Sequence, residues 1–432
     1  MMAVKMNDMH RTVTLQGVCR FTPTVAAETA ARFSLAALPA QFYADPYPYY
    51  HALRDHEPVK CFADGSIFLS RYDDLKFVYG DTKTFSSDKK IEFKPKYGDS
   101  LLYEHHTTSL VFSDPPLHTR VRRLIAGALT PRAIAAMEAG LIALVDQLID
   151  NAAQRRELDL IEDFASAIPI EVIGNLLAVP KDERGPLREW SLAILGALEP
   201  VISEQQLQRG NDSVRDFLEY LRHLVAQRRR SPGDPQRDVV TRLIAGEAGG
   251  EKLTETELLQ NCIFLLNAGH ETTTNLIGNG LHALIENPVA YDQLRSRPSL
   301  IDTAVDEFLR FESSNQLGNR RTTVDCEIAG VKLAAGTSVH LGIGAANRDP
   351  GQFPAPDHLQ LDRSPNKHLA FAFGPHLCVG NVLAKMEGRI ALSRFVNRFK
   401  TLELAGEPLR GGRARFRGFA KLPVRVSEGR LP

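Results

Sequence analysis

Several absences narrow the reading before any motif does. No apolar run in the 432 residues approaches the roughly 20 that a bilayer-spanning helix needs, so no membrane span is expected. Net charge is missing too, because 52 Lys and Arg balance 52 Asp and Glu, and such a chain has no global field to draw nucleic acid or an anionic membrane. The five cysteines, Cys19, Cys61, Cys262, Cys326 and Cys378, never form a CxxC pair. That argues against a disulfide framework, a structural zinc site and a four-cysteine iron–sulfur cluster. The opening stretch "MMAVKMNDMHRTVTLQGVCRF" lacks the apolar core of a secretory signal, so the cytoplasm is the expected compartment.

What is present reads as one folded unit, mainly α with a small β portion. Helical periodicity dominates from about residue 114 to 310. "SDPPLHTRVRRLIAGAL" offers Ser113 or Asp114 as a cap with proline in the first turn. "LTETELLQNCIFLLNAGHETTTNLIGNGLHALIENP" opens with a Thr254-x-x-Glu257 capping box and stops at Asn287-Pro288, a helix of about 32 residues. At 1.5 Å per residue it spans about 48 Å, enough to cross a whole molecule. Alternating stretches in "DCEIAGVKLAAGTSVHLGI" and "ARFRGFAKLPVRV" read as strands. Residues 1–40 read as an N-terminal extension and 41–432 as the domain.

One cysteine differs from the rest by its neighbours. In "HLAFAFGPHLCVGN" Cys378 follows glycine, proline and histidine and precedes "VGNVLAKMEGRIALSRFVNRF", which reads as a long helix. A thiolate is a strong, soft iron ligand, and haem iron can be held axially by Cys. The helix N-terminus would set partial positive charge and free N–H groups beside the sulfur and lower its pKa. Gly374 and Gly380 would let backbone approach a flat macrocycle.

The run from Phe371 through Gly374, His376 and Cys378 to Gly380 resembles the haem-binding loop of the cytochrome P450 family, F-G-x-G-x-H-x-C-x-G. Ala372 stands where that pattern has glycine, which bears on whether the backbone there can take a positive φ. The likeness runs from about Asp45 to the C-terminal "LPVRV". It implies the cytochrome P450 fold, a single domain shaped like a triangular prism, with haem b held by Cys378.

Further constellations join it. "AGHETT" lies in mid-helix. Thr272 can bond the carbonyl of Ala268, four residues before it, and with Gly269 locally open the helix. Glu271 and Thr272 resemble the family's acid–alcohol pair for proton delivery. A zinc-protease HExxH is excluded because Thr274 occupies the second histidine's place. Glu307-x-x-Arg310, followed by Arg363, resembles the family's structural Glu-Arg-Arg network, although Ser313-Ser314 stands where proline is usual. His118, Arg122, Arg320 and His376 align with residues that hydrogen-bond the haem propionates, a task that suits Arg and His.

The resemblance implies a soluble bacterial-type monooxygenase that inserts one atom of O2 into a largely apolar substrate. Only 432 − 378 = 54 residues follow the cysteine, too few for a flavin or iron–sulfur domain, so electrons are expected from a separate ferredoxin and ferredoxin reductase. Arg120, Arg123 and Arg389 are candidates for docking it. A peroxide-driven peroxygenase and a non-catalytic haem-binding protein are the alternatives, and both sit poorly with an intact Glu271-Thr272 pair.

By alignment with the family, pocket walls come from residues 87–112, 185–210, 264–272 and 313–319. Asn267 and Gln316 are polar where apolar residues are commoner. They are expected to meet an oxygenated group, core hydrogen bonding being the other reading. Lys89, Lys90, Lys94 and Lys96 hint at an anionic ligand, though a charge run in a loop is ordinarily solvated.

Overall fold

In the computed structural model, which describes residues 11–13, 19–235, 238–246 and 252–429, the longest helix is Glu255–Ile285, 31 residues. Its capping box forms as expected. The Glu257 N–H donates to the Thr254 hydroxyl at 3.2 Å, and the Thr254 N–H donates to the Glu257 carboxylate at 2.9 Å. Most of this long helix is buried all round, as befits a helix in the middle of a molecule. Helices Ala167–Leu176, Leu187–Gly196, Glu204–Arg230, Ile301–Phe311 and Asn381–Arg398 pack around it.

Glycines set the closest crossing. A Cβ on Gly388 would stand 2.9 Å from the Leu276 side chain, and one on Gly280 would stand 3.4 Å from Leu392. The pairs 276/388 and 280/392 keep step, so the long helix and the C-terminal helix Asn381–Arg398 run in the same direction. One turn back brings Thr272 level with Ala384, and two turns back bring Ala268 level with Gly380. That register sets the middle of the long helix beside the residues that follow Cys378.

The β portion is small but ties distant parts of the chain together. Strand Ser338–Gly342 pairs parallel with Ile67–Leu69 and antiparallel with Leu317–Thr322. Val59–Cys61 and Phe85–Ser86 complete the five-stranded sheet. Among the described residues no single helix is long and apolar enough to cross a membrane.

Two expectations need correction. The boundary at residue 40 is not a structural one. Helix Pro23–Arg32 packs on Tyr47–His56, and Phe33 sits buried with its ring 5.9 Å from Phe42 and 5.6 Å from Phe68. The folded unit therefore reaches well N-terminal of residue 41; residues 1–10 and 14–18 lie outside the described residues. Nor does Ser113 or Asp114 cap the following helix, which begins at Leu117 after Pro116. The Asp114 carboxylate instead accepts from the Ser87 N–H at 2.9 Å and from the Ser86 hydroxyl.

The Glu-Arg-Arg network is present and fully buried. Glu307 accepts from Arg310 at 2.7 and 2.8 Å and from Arg363 at 3.0 Å. Arg310 spends its remaining donors on the carbonyls of Asn347, Pro356 and His358. Ser313, in place of the usual proline, gains a bond that proline could not make: its hydroxyl accepts from Asn347 Nδ2 at 2.8 Å. Asn347 Oδ1 in turn accepts from the Leu369 N–H at 2.7 Å. The network therefore anchors the first residue of the turn that leads to Cys378.

Candidate active site

From Leu369 the chain folds back on itself. The Ala372 N–H donates to Leu369 O at 2.9 Å, the Leu377 N–H to Gly374 O at 2.9 Å, and the Cys378 N–H to Phe371 O at 2.9 Å. Two positive-φ residues make the reversal possible, Gly374 at 71° and Ala372 at 59°. A side chain on Gly374 would also run into Tyr79 O at 2.7 Å. Ala372 therefore adopts the left-handed conformation despite its methyl group, at a cost of about 1–2 kcal/mol. Ala372→Gly should relieve that strain, less the entropy glycine adds to the unfolded chain, and raise stability by about 0.5–1 kcal/mol. A denaturant midpoint that falls in the variant would contradict this.

Cys378 closes the loop at the start of the C-terminal helix. Its carbonyl accepts from Asn381 Nδ2 at 2.5 Å, and Arg122 Nη2 donates to the neighbouring Leu377 O at 2.7 Å. The Gly380 N–H points at the thiol and the Arg122 charge acts on it, both favouring thiolate. Burial outweighs them, so the thiol of the free protein sits above its ordinary pKa, not below it as the helix N-terminus alone suggests. A bound metal ion reverses that balance by deprotonating the sulfur that coordinates it.

Facing this level of the C-terminal helix, the long helix presents Leu265, Ala268, Gly269 and Thr272 as accessible positions. Their i, i+3, i+4, i+7 spacing places them on one face. The Thr272 hydroxyl donates to Ala268 O at 2.7 Å, as its spacing predicts. The expected opening of the helix does not follow, because Glu255–Ile285 is helical throughout. A Cβ on Gly269 would meet Ile173 Cδ1 at 2.5 Å, so this glycine admits helix Ala167–Leu176, whereas one on Gly380 would meet nothing within 4 Å.

Glu271 and Thr272 are not brought together. Adjacent helical residues face different ways, and the buried Glu271 carboxylate turns to Arg413 Nη1 at 2.6 and 2.7 Å. Arg413 also donates to Leu192 O at 2.8 Å. Burial pushes the Glu271 pKa up to about 7 against the pull of Arg413, with Glu199 adding to the rise. A carboxyl poised near neutrality can both give and take a proton. Arg413, in "GGRARFRGFA", lay in no motif and could not be found from the sequence.

The four expected propionate partners converge. The His118 and His376 rings lie 4.0 Å apart. Ser87 Oγ is 3.2 Å from His376 Nε2, and Arg320 lies buried 5.1 Å from the Tyr79 ring centroid. Burial, then Arg320, His118 and Arg122, hold His376 down to about 2; burial and Arg122 lower His118. His118 Nε2 and Arg320 Nε are buried with no partner. Asp114, the carboxylate that acts on this group, is engaged by Ser86 and Ser87.

These observations fit haem b. A lone thiol ends a strained turn, a face of small residues lies level with it, and the buried Arg320 guanidinium and His118 ring each keep a nitrogen without a partner. Among the described residues no three His, Cys, Asp or Glu side chains gather as a metal site.

The two polar pocket candidates separate. Asn267 Nδ2 contacts His105 Nε2 at 3.2 Å, and its Oδ1 is buried without a partner. Gln316 is not brought there: its amide donates to Ser313 O at 2.8 Å, and its carbonyl end fills the space beside Gly344 and Tyr50. The expectation that Gln316 meets a ligand is therefore replaced by a core role.

A family model described as cytochrome P450 matches residues 190–410. The chain is 34% identical over 412 residues to a biotin biosynthesis cytochrome P450 of Bacillus subtilis (strain 168), covering 93% of this chain and 99% of that protein. A polyketide biosynthesis cytochrome P450, PksS, from the same strain is 33% identical over 405 residues, covering 90% and 97%. Among solved structures, P450BioI in complex with hexadec-9Z-enoic acid ligated acyl carrier protein superposes with a TM-score of 0.85 at 34% identity, covering 90% of this chain and 99% of that one.

Proposed function

Because the chain belongs to the cytochrome P450 family of haem b monooxygenases, we propose that it inserts one oxygen atom from O2 into a C–H or C=C bond of a small, largely apolar molecule, using electrons from a separate ferredoxin and its reductase. The observation that carries this is the Cys378 turn, in which backbone bonds, with Asn381 and Arg122 on its carbonyls, set the sulfur beside the Gly380 N–H. Haem held by that sulfur supplies oxygen activation favoured by the thiolate's electron push. His118, Arg122, Arg320 and His376 would hold its propionates. The Leu265, Ala268 and Thr272 face would border the reacting end of the substrate.

Thr272 offers its hydroxyl on that face, while the Glu271 carboxylate, its pKa raised to about 7 by burial, is turned to Arg413. Thr272→Ala removes the last donor before the reacting atoms, so NAD(P)H consumption should persist while the share that ends in product falls several-fold and peroxide accumulates. Unchanged coupling would mean the proton travels by another route.

Phe373, Leu377, Val382 and Phe77 are exposed apolar residues on or near the cysteine loop, with Lys76 lying 5.6 Å over the Phe373 ring. They favour docking of a small acidic redox protein at this end. Of the cations expected there, Arg120 is held by Glu257 and Arg389 by Glu138 at 2.9 Å, so they contribute less than the loop does. Substrate-dependent turnover with NAD(P)H, ferredoxin reductase and ferredoxin tests the reading; turnover with peroxide alone would move it to a peroxygenase.

A further inference from the structure

Of the four clustered lysines only two behave as a solvated run. Lys90 pairs with Asp88 at 3.0 Å and Lys94 with Asp99, both in the open. Lys89 is 1% exposed, and Lys96 turns inward to donate to Glu199 O at 2.6 Å. Arg415 enters the same space from the C-terminal loop. Its Nε donates to Leu198 O at 3.1 Å and its Nη1 to Leu317 O at 2.7 Å. It thus bridges the connection between helices Leu187–Gly196 and Glu204–Arg230 and the start of strand Leu317–Thr322, two of the expected pocket walls.

The charges here do not balance. Lys89, Lys96 and Arg415 are set against Glu92, which takes the Lys89 ammonium at 3.0 Å, and Glu199. The Glu199 carboxylate accepts from the N–H groups of Ala414 at 2.7 Å and Arg415 at 3.1 Å. Lys96 and Arg415 therefore bond only to backbone carbonyls, and one positive charge is left over. Burial first and the Arg415 charge second lower Lys96 to about 8, so the two cations press on each other.

A second observation points to the same spot. His106 is 1% exposed and neither ring nitrogen has a partner. The rings of Phe93, Tyr97 and Phe112 enclose it at 5.8, 5.4 and 5.8 Å. Burial, with Lys96 and Arg415 among the charges acting on it, keeps it neutral, so it offers one N–H.

We infer that Lys96, Arg415 and His106 form the receiving site for a single carboxylate, so that the substrate is a carboxylic acid with an apolar body. One excess positive charge matches a monoanion and not a phosphate dianion, and the aromatic rings around His106 suit the apolar part. Calling this ligand the substrate rests on the monooxygenase reading; the binding site itself does not.

The test is titration of the haem-loaded protein with octanoate, dodecanoate and hexadecanoate, each beside its methyl ester, followed by calorimetry and by fluorescence of Trp190. This tryptophan, the chain's only one, lies on helix Leu187–Gly196 stacked 4.9 Å from Phe217. Charge-assisted bonds should make the acids bind about 10- to 100-fold more tightly than the esters. Lys96→Gln and Arg415→Gln should each remove most of that preference with circular dichroism unchanged; should one variant not fold, the other carries the test. Equal affinity of acid and ester, no binding by either across the series, or a preference that survives both replacements overturns the inference. The monooxygenase reading fails separately, if the reduced protein under carbon monoxide lacks the red-shifted Soret band of thiolate ligation.

Discussion

Cys378→Ser yields a folded protein that has lost both the thiolate signature and all turnover. Folding should survive because the turn is closed by backbone atoms. The Cys378 N–H reaches Phe371 O, the Cys378 carbonyl takes the Asn381 amide, and the positive φ values belong to Ala372 and Gly374. None of these needs sulfur. A serine hydroxyl is a poor donor of electron density to iron, so the reduced protein under carbon monoxide should lose the red-shifted Soret band. Product formation should fall to the enzyme-free level, while the unfolding free energy changes by less than about 1 kcal/mol, as for a substitution that breaks no buried bond. A variant that kept the band would place the iron ligand elsewhere and end the account.

The chemistry of the cysteine loop was legible because it is local. A thiol, two glycines and a helix start lie within a dozen residues, and each constrains the same turn. The long helix was legible to within a residue or two, since its capping box and its Asn-Pro stop are side-chain signals. What the sequence hid is long-range. Glu271 and Arg413 are 142 positions apart, and Lys96 and Glu199 are 103 apart, so no window or period joins them. The Glu271–Thr272 pair read as one unit because the residues are adjacent in sequence, yet helical geometry sends their side chains to opposite duties. Gln316 misled for a related reason: a polar residue in a wall segment has two sides to turn to, and the space beside Gly344 took it. The lysine run was misjudged in the other direction, since exposure depends on which way each lysine faces: Lys90 and Lys94 lie on the open side of helix Lys90–Tyr97, whereas Lys89, just before it, and Lys96 turn inward.

Removing the Glu307 carboxylate should cost more stability than any surface ion pair in the molecule. Glu307 is fully buried and accepts from Arg310, Arg363, the Gln360 N–H at 2.8 Å and Asn366 Nδ2 at 3.1 Å. Glu307→Ala leaves two guanidiniums in the interior with no anion between them, a loss of about 3–5 kcal/mol. That is a large part of the 5–15 kcal/mol or so by which a typical protein is stable. Glu307→Gln keeps the shape and one acceptor, so it should fall between the alanine variant and the wild type. The exposed Arg425–Glu157 pair, at 2.7 Å, is equally short, yet Arg425→Ala should change the unfolding midpoint little because water screens it. The loss at Glu307 should also reach the haem site. Arg310 positions the Asn347 carbonyl, and Asn347 Oδ1 holds the Leu369 N–H at the head of the cysteine loop. Haem content should therefore drop together with the denaturant midpoint in the Glu307 variants and stay whole in Arg425→Ala. If Glu307→Ala unfolded at the wild-type midpoint with full haem, the network would be ornamental to both the core and the loop it supports.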